Sequence, residues 1–98
     1  MARLNWTDLS IDDLIHIADF ISKDSVKYAD VQIKRIRERA RLLKTQPLLG
    51  RIVPEMDDET IRELILGNYR IIYRIISEDR IDILTVHHSA KQLRTELL

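Results

Sequence analysis

The feature that most constrains the fold is a change in hydrophobic period near the middle of the chain. Up to about residue 43, apolar residues recur every three or four positions, which is typical of amphipathic helices. Three later runs, 61–66, 69–77 and 80–87, alternate with a period of two and are rich in β-branched and aromatic residues, which predicts strands. A chain of this kind must pack a helical layer on a small sheet, so the sequence predicts an α+β fold.

The first half predicts two antiparallel helices joined by a tight link at residues 23–25. One face of the first helix is expected to carry Ile11, Leu14, Ile15, Ala18 and Ile21, and the opposite face Asp12, Asp13, His16 and Asp19. The buried positions of the second helix are expected to be Val26, Ala29, Ile33, Ile36, Ala40 and Leu43. Pro47 and Gly50 end this helix, and residues 51–59 are predicted to form a loop.

The second half predicts a small antiparallel sheet of three to four strands, with residues 3–6 as a short first strand. Gly67-Asn68 is a two-residue connection suited to positive φ and therefore predicts a hairpin. In the strand 69–77, one face must pack on the helices, so the face that carries Arg70 and Arg74 is expected to be partly open. Residues 90–98 are predicted to be a short helix or a tail, and residues 1–98 a single domain.

Charge is distributed unevenly although the formal net charge is zero. Residues 1–25 carry a net charge of −3, residues 26–51 a net charge of +6, and the remainder −3. This asymmetry predicts an acidic partner for the second helix, with Arg37 and Arg41 as binding candidates. The alternative is that these cations only solvate an exposed helix face.

Several classes of protein are disfavoured by the residues that the chain lacks. It has no cysteine, no apolar run of the length that a membrane span needs, and no signal-peptide pattern, so a cytoplasmic protein without membrane contact is expected. His87 and His88 are adjacent on a strand and must diverge, while His16 lies on a helix, so neither a metal site nor a cofactor is expected.

Cleavage of RNA by acid–base catalysis is one chemistry that the strand residues suggest. Arg70 or Arg74 would stabilise the charge that develops on the phosphate, and His88 would act as the acid or base because imidazole titrates near neutral pH. The alternative is structural: the arginines bind the carboxylates of Asp82, Glu63 or a partner, and His88 ends the strand.

The order and spacing of these residues resemble the ParE/RelE superfamily of toxins from bacterial type II toxin–antitoxin modules, and the ParE branch in particular. The resemblance spans nearly the whole chain and is carried by Trp6, Asp13-Leu14, Ile17, Ile21, Asp24-Ser25, Ala29, Leu43, Pro47, Gly50-Arg51, Arg62-Glu63-Leu64, Tyr69-Arg70-Ile71, Tyr73-Arg74, Val86, His88 and Lys91. It implies a helical hairpin packed on an antiparallel sheet, and a small antitoxin that binds the toxin in a hetero-oligomer and neutralises it.

Within this superfamily, ParE-like toxins poison DNA gyrase, whereas RelE-like toxins cleave mRNA in the ribosome without a metal. The resemblance places Arg70 at the strand arginine of the RelE-like toxins, but Glu63 stands where a catalytic lysine is expected, and Ser89 and Ala90 stand where a basic pair is expected. The departures favour a non-enzymatic gyrase inhibitor. The alternative is a ribosome-dependent mRNA endonuclease that uses Arg70, Arg74 and His88.

Seven residues are candidates for binding the antitoxin or the target. The set combines the basic helix with the polar residues of the sheet and comprises Arg37, Arg41, Arg62, Arg70, Arg74, His88 and Lys91. An apolar-and-acidic segment of the antitoxin is expected to dock on the helical hairpin and on the open face of the sheet.

Overall fold

A computed structural model describes residues 1–91 and 93–98. In chain order the elements are β1 (Arg3–Trp6), α1 (Asp8–Ser22), α2 (Val26–Arg41), a 3₁₀ turn (Leu42–Lys44), β2 (Arg51–Ile52), β3 (Ile61–Leu66), β4 (Tyr69–Ser77), β5 (Arg80–His88) and a 3₁₀ turn (Thr95–Leu97). Across the described residues, no helix has the length and apolar character that a membrane span requires. The predicted α+β fold, with a helical hairpin packed on a sheet, is confirmed.

The sheet differs from the prediction in strand number and in direction. It has five strands in the order β1-β5-β4-β3-β2, and β1 runs parallel to β5 while the other pairs are antiparallel. The additional strand is β2, which lies in the segment predicted to be a loop and pairs with β3. A strand of two residues has no alternation that the sequence could reveal, so only its pairing partner defines it.

Both helices pack on one face of the sheet and form the larger core with it. Ile36, Ala40 and Leu43 meet Ile71 and Tyr73 there, and all five are fully buried. The hydroxyls of Thr7 and Ser25 accept hydrogen bonds from backbone N–H groups of the first turns of α1 and α2, which stabilises each helix start. The tight hairpin at Gly67-Asn68 is confirmed, with φ of 57° at Gly67.

The buried face of α1 is rotated from the predicted one. Ile11 and Ile15 are 44% and 52% exposed, whereas Asp13 is half-buried. The Asp13 carboxylate accepts hydrogen bonds from the Thr85 hydroxyl and from the Val86 N–H, the latter at 2.9 Å. Beyond the end of β1, α1 lies beside β5, where the Val86 N–H has no strand to accept its hydrogen bond. Asp13 supplies the acceptor, so hydrogen bonding and not hydrophobicity decides which side of α1 faces inward.

The buried face of α2 also departs from the prediction at two positions. Val26 is 66% exposed, and Gln32 is buried although it was not expected in the core. Val26 is the first residue of the helix, and the buried stripe of α2 begins three residues later, at Ala29.

The opposite face of the sheet carries a second, smaller core. Val53, Ile61 and Ile72 are fully buried there, and they pack against partly buried Met56, Leu84, Leu93 and Leu98. This face was expected to be partly open, but the β2–β3 connection and the C-terminal residues cover its centre. The C-terminal segment, predicted as a helix or tail, contains a single 3₁₀ turn.

Candidate functional site

Arg70 lies on the second face of the sheet in a network of four charged side chains. Its Nε donates to Glu63 Oε1 at 2.5 Å, and Nη1 and Nη2 donate to the two oxygens of Glu55 at 2.7 and 2.8 Å. Arg51 Nε donates to Glu63 Oε2 at 2.7 Å. The Glu63 side chain is 0% exposed and the Arg70 side chain 12%, so the centre of this network is shielded from water. The outer two side chains, Glu55 and Arg51, are 40% and 64% exposed.

Hydrogen bonding within the network favours its charged forms. The hydrogen bond to Arg70 lowers the pKa of Glu55 from 4.5 to about 2. The hydrogen bond from Glu55, followed by that from Glu63, raises the pKa of Arg70 above its usual value. Arg70 therefore stays cationic at every relevant pH, but three of its N–H groups already bind carboxylates, so its charge is largely neutralised inside the protein.

Arg74 lies on the same face, four residues and therefore about 13 Å along β4 from Arg70. Buried Ile72 lies between them. Arg74 Nη2 is 3.4 Å from the carbonyl oxygen of Leu98, and its Nε is buried without a hydrogen-bond partner among the described residues. The structure therefore does not join the two arginines in one phosphate-binding cluster.

His88 ends β5 on the helix side of the sheet. Its Nδ1 accepts a hydrogen bond from the Ala90 N–H at 3.1 Å, and its ring meets Tyr69 edge to face with centroids 5.3 Å apart. In the neutral ring Nε2 then carries the proton and is a donor, so the one lone pair that a general base would use is engaged. His87 points elsewhere, with Nε2 2.7 Å from the Lys91 carbonyl oxygen.

His88 and Lys91 line one cavity of about 460 Å³ together with residues of α1. Its wall is mostly apolar, with Ile17, Phe20, Tyr69 and Ala90, and His16 also lines it. Phe20 is 70% exposed, although an aromatic ring gains free energy when it is covered. The cavity therefore offers an apolar surface edged by groups that can bind an anion.

Arg37 and Arg41 are brought together in a separate groove. They line a groove of about 180 Å³ with Lys44, Leu4 and Trp6, between β1 and the end of α2. Within residues 1–91 and 93–98, neither arginine is ion-paired with a carboxylate. This basic groove is therefore lined by three cations, and Arg37 and Arg41 in it are exposed.

Arg62 has a structural environment on the helix side of β3. Its Nη1 donates to the Gly50 carbonyl oxygen at 3.0 Å and its Nε to the Glu59 carbonyl oxygen at 3.2 Å. Buried Tyr73 holds the same segment, because its hydroxyl accepts from the Gly50 N–H and donates to the Pro47 carbonyl oxygen. A Cβ on Gly50 would lie 2.5 Å from the Glu63 carbonyl oxygen, so this close approach requires glycine.

The sequence prediction missed two carboxylates that organise the molecule, Glu55 and Asp13. Glu55 was assigned to an acidic loop and Asp13 to the solvent face of a helix. Each acts through a partner that is distant in the chain, Arg70 or Val86, so no local pattern could have identified it. No cluster of three or more potential metal ligands occurs in the part of the chain that the structure describes.

Comparison with solved structures shows the class of the fold. A chain described as "Chromosomal ParDE TA system from P. aeruginosa" superimposes with a TM-score of 0.74 at 23% sequence identity, covering 90% of this chain and 96% of that one. The chain therefore has the α+β fold of a ParDE component. A search of curated protein sequences found no match.

The family follows from the sequence itself. The family model of the ParE toxin of the type II toxin–antitoxin system parDE matches residues 4–93. The chain belongs to this ParE toxin family. The resemblance to the ParE branch is thereby confirmed.

Proposed function

We propose that this toxin inhibits DNA gyrase by binding and that a cognate antitoxin neutralises it. The observation that carries the choice of binding over cleavage is the ion-pair network around Glu63, which engages Arg70 internally. A free cation at Arg70 would be needed to stabilise a phosphate in the transition state of RNA cleavage.

The rest of the sheet supports the same choice. The carboxylate of Glu63 stands where a RelE-like toxin is expected to have a lysine, and His88 has its Nδ1 lone pair engaged by Ala90. Arg74 lies near the carbonyl oxygen of Leu98, whereas Arg70 is held by Glu55 and Glu63, so the two guanidinium groups are engaged at different places. These contacts suit a surface that binds a protein better than one that turns over RNA.

A supercoiling assay with purified gyrase tests the proposal. The toxin is expected to inhibit supercoiling or to accumulate gyrase-cleaved DNA, and topoisomerase I, which relaxes the same plasmid, is expected to be unaffected. No effect at a large molar excess of toxin would remove gyrase as the target. Cuts at A-site codons of translated mRNA, detected by primer extension, would assign the RelE-like activity instead.

For the antitoxin, we propose contacts with both exposed sites on the helical side. The apolar cavity around Phe20, His88 and Lys91 suits apolar side chains that have an acidic neighbour, and the basic groove at Arg37 and Arg41 suits acidic ones. Charge pairs at an exposed rim accelerate association and weaken as salt rises.

Two double variants of α2 test the electrostatic part of this contact. Arg37→Glu with Arg41→Glu is expected to weaken antitoxin binding about tenfold or more and to flatten its salt dependence. The matched control, Arg35→Glu with Arg39→Glu, has the same change in charge on residues that line a different surface groove. Equal effects of the two variants would show that the overall charge matters and the groove does not.

A further inference from the structure

The outer edge of β1 has backbone groups that no strand covers. Arg3 N–H donates to the Asp79 carbonyl oxygen at 2.8 Å, and Thr7 N–H donates to the Ile83 carbonyl oxygen at 3.2 Å. In a parallel pair, alternate residues bond the neighbouring strand. With Asn5 opposite Asp82, this register directs the N–H and C=O groups of Arg3 and Asn5 toward β5 and those of Leu4 and Trp6 toward the free edge.

Only the start of this edge is closed. Ala2 N–H donates to the Lys44 carbonyl oxygen at 2.9 Å, which ties the chain to the 3₁₀ turn after α2. Among residues 1–91 and 93–98, the backbone groups of Leu4 and Trp6 have no hydrogen-bond partner beyond the sheet. Two donors and two acceptors are therefore available in a row.

The same edge forms one wall of the basic groove. Leu4 and Trp6 line it from the sheet, and Arg37, Arg41 and Lys44 line it from the helical side. The five lining residues include three cations and no carboxylate. A strand that approaches this edge therefore meets three cations on the helical side of the groove.

The other edge of the sheet lacks these properties. β2 is two residues long, its Arg51 is held by Glu63, and Pro54 follows two residues after the strand. Short edge strands, prolines and charges are devices that discourage pairing. At β1, in contrast, the cations repel only a strand that is itself basic. The β1 edge of a second copy of this chain is such a strand, so the cations also discourage edge-to-edge pairing of two copies.

We propose that the β1 edge binds an extended acidic segment of a partner protein, which adds to the sheet as a sixth strand. The main chain of the segment pairs with Leu4 and Trp6, and acidic side chains at every second position, about 7 Å apart, face Arg37, Arg41 and Lys44. This inference adds a binding mode to the antitoxin contact of the proposed function. It rests on that function in one respect only, namely that the partner is a protein.

A synthetic peptide tests the edge without gyrase or antitoxin. The probe is acetyl-(Glu-Val)₃-amide, and binding is followed by the backbone amide shifts of Leu4 and Trp6 and by fluorescence of Trp6, the only tryptophan. Saturable shifts at these two amides are expected, and the matched acetyl-(Lys-Val)₃-amide is expected to leave them unchanged. Shifts confined to side chains of α2 would overturn the added strand.

N-methylation distinguishes strand addition from attraction of charge alone. In a strand, the N–H groups of alternate residues point to opposite edges. Methylating the valine amides therefore blocks one edge of the peptide, and methylating the glutamate amides blocks the other. One methylated peptide is expected to bind like the parent and the other to lose binding at least about tenfold. Equal binding by both would overturn the proposal while leaving the antitoxin contact untouched.

The double variants of α2 provide the charge control. Arg37→Glu with Arg41→Glu is expected to weaken peptide binding about tenfold, and Arg35→Glu with Arg39→Glu by less than about threefold. Dispersed amide spectra verify that both variants are folded. Competition by a single-stranded oligothymidylate for the same amides would overturn a protein segment as the ligand in favour of a nucleic acid.

Discussion

The arginines of the strands and those of α2 differ in whether carboxylates of the same chain bind them. On the sheet, Arg70 shares a buried carboxylate with Arg51 and binds a second one. On α2, Arg37 and Arg41 lie in a groove whose five lining residues include no carboxylate. Charge on a strand can thus hold a fold together, whereas charge on an exposed helix remains available to a partner.

The largest expected effect is at the centre of the strand network. Glu63→Ala leaves Arg70 without its innermost partner and creates a cavity, so the free energy of unfolding is expected to fall by about 3 kcal/mol. Urea unfolding followed by circular dichroism measures it. A loss under about 1 kcal/mol would mean that Arg70 is no more structural than the arginines of α2.

Removing both charges together separates the cost of an unpaired ion from the value of the pair. Glu63→Leu with Arg70→Met replaces a buried pair by apolar side chains, which is often nearly neutral. The double variant is expected to recover at least about half of the stability that Glu63→Leu alone loses. If the two single losses simply add in urea unfolding, the pair is not coupled.

The pH dependence of stability isolates the outer carboxylate of the network. The pKa of Glu55 is about 2 in the folded protein and 4.5 without its partner, so its contribution is present above pH 4.5 and is lost as pH falls toward 2. Because the side chain is 40% exposed, this contribution is expected to stay below about 1 kcal/mol.

The matched variant for this effect is Glu55→Gln. Between pH 6 and pH 3 it is expected to lose less stability in urea unfolding than the parent protein, because it has no carboxylate to protonate at this position. All other carboxylates titrate in both proteins and cancel in the difference. Identical pH profiles would assign the acid sensitivity to other groups.

The smallest expected effect is on α2. Arg37→Gln with Arg41→Gln removes two exposed cations that have no carboxylate partner, so the free energy of unfolding is expected to change by less than about 0.5 kcal/mol. The same urea unfolding measurement applies. A loss comparable to that of Glu63→Ala would erase the contrast between the two groups of arginines.

The sequence predicted the main parts of the fold because their signals are local. The switch of period from 3.6 to 2 marked both helices and strands β3 to β5, and Gly67 marked the hairpin. The parallel pairing of β1 and the existence of β2 were not predictable, since each depends on the register of a distant strand. Family resemblance supplied the toxin class, which periodicity alone does not specify.

For the candidate site, the sequence shows which charged residues exist and that the middle segment is basic. Which of these charges remain available to a partner depends on the folded structure. Glu63 lies opposite Arg51 in the sheet, so that ion pair follows from strand register. Glu55 lies in the turn after β2 and reaches Arg70 across fifteen positions of the chain, so that pair follows from how the β2–β3 connection folds over the sheet. Arg37 and Arg41 are four residues apart on one helix, and helical periodicity alone places them side by side.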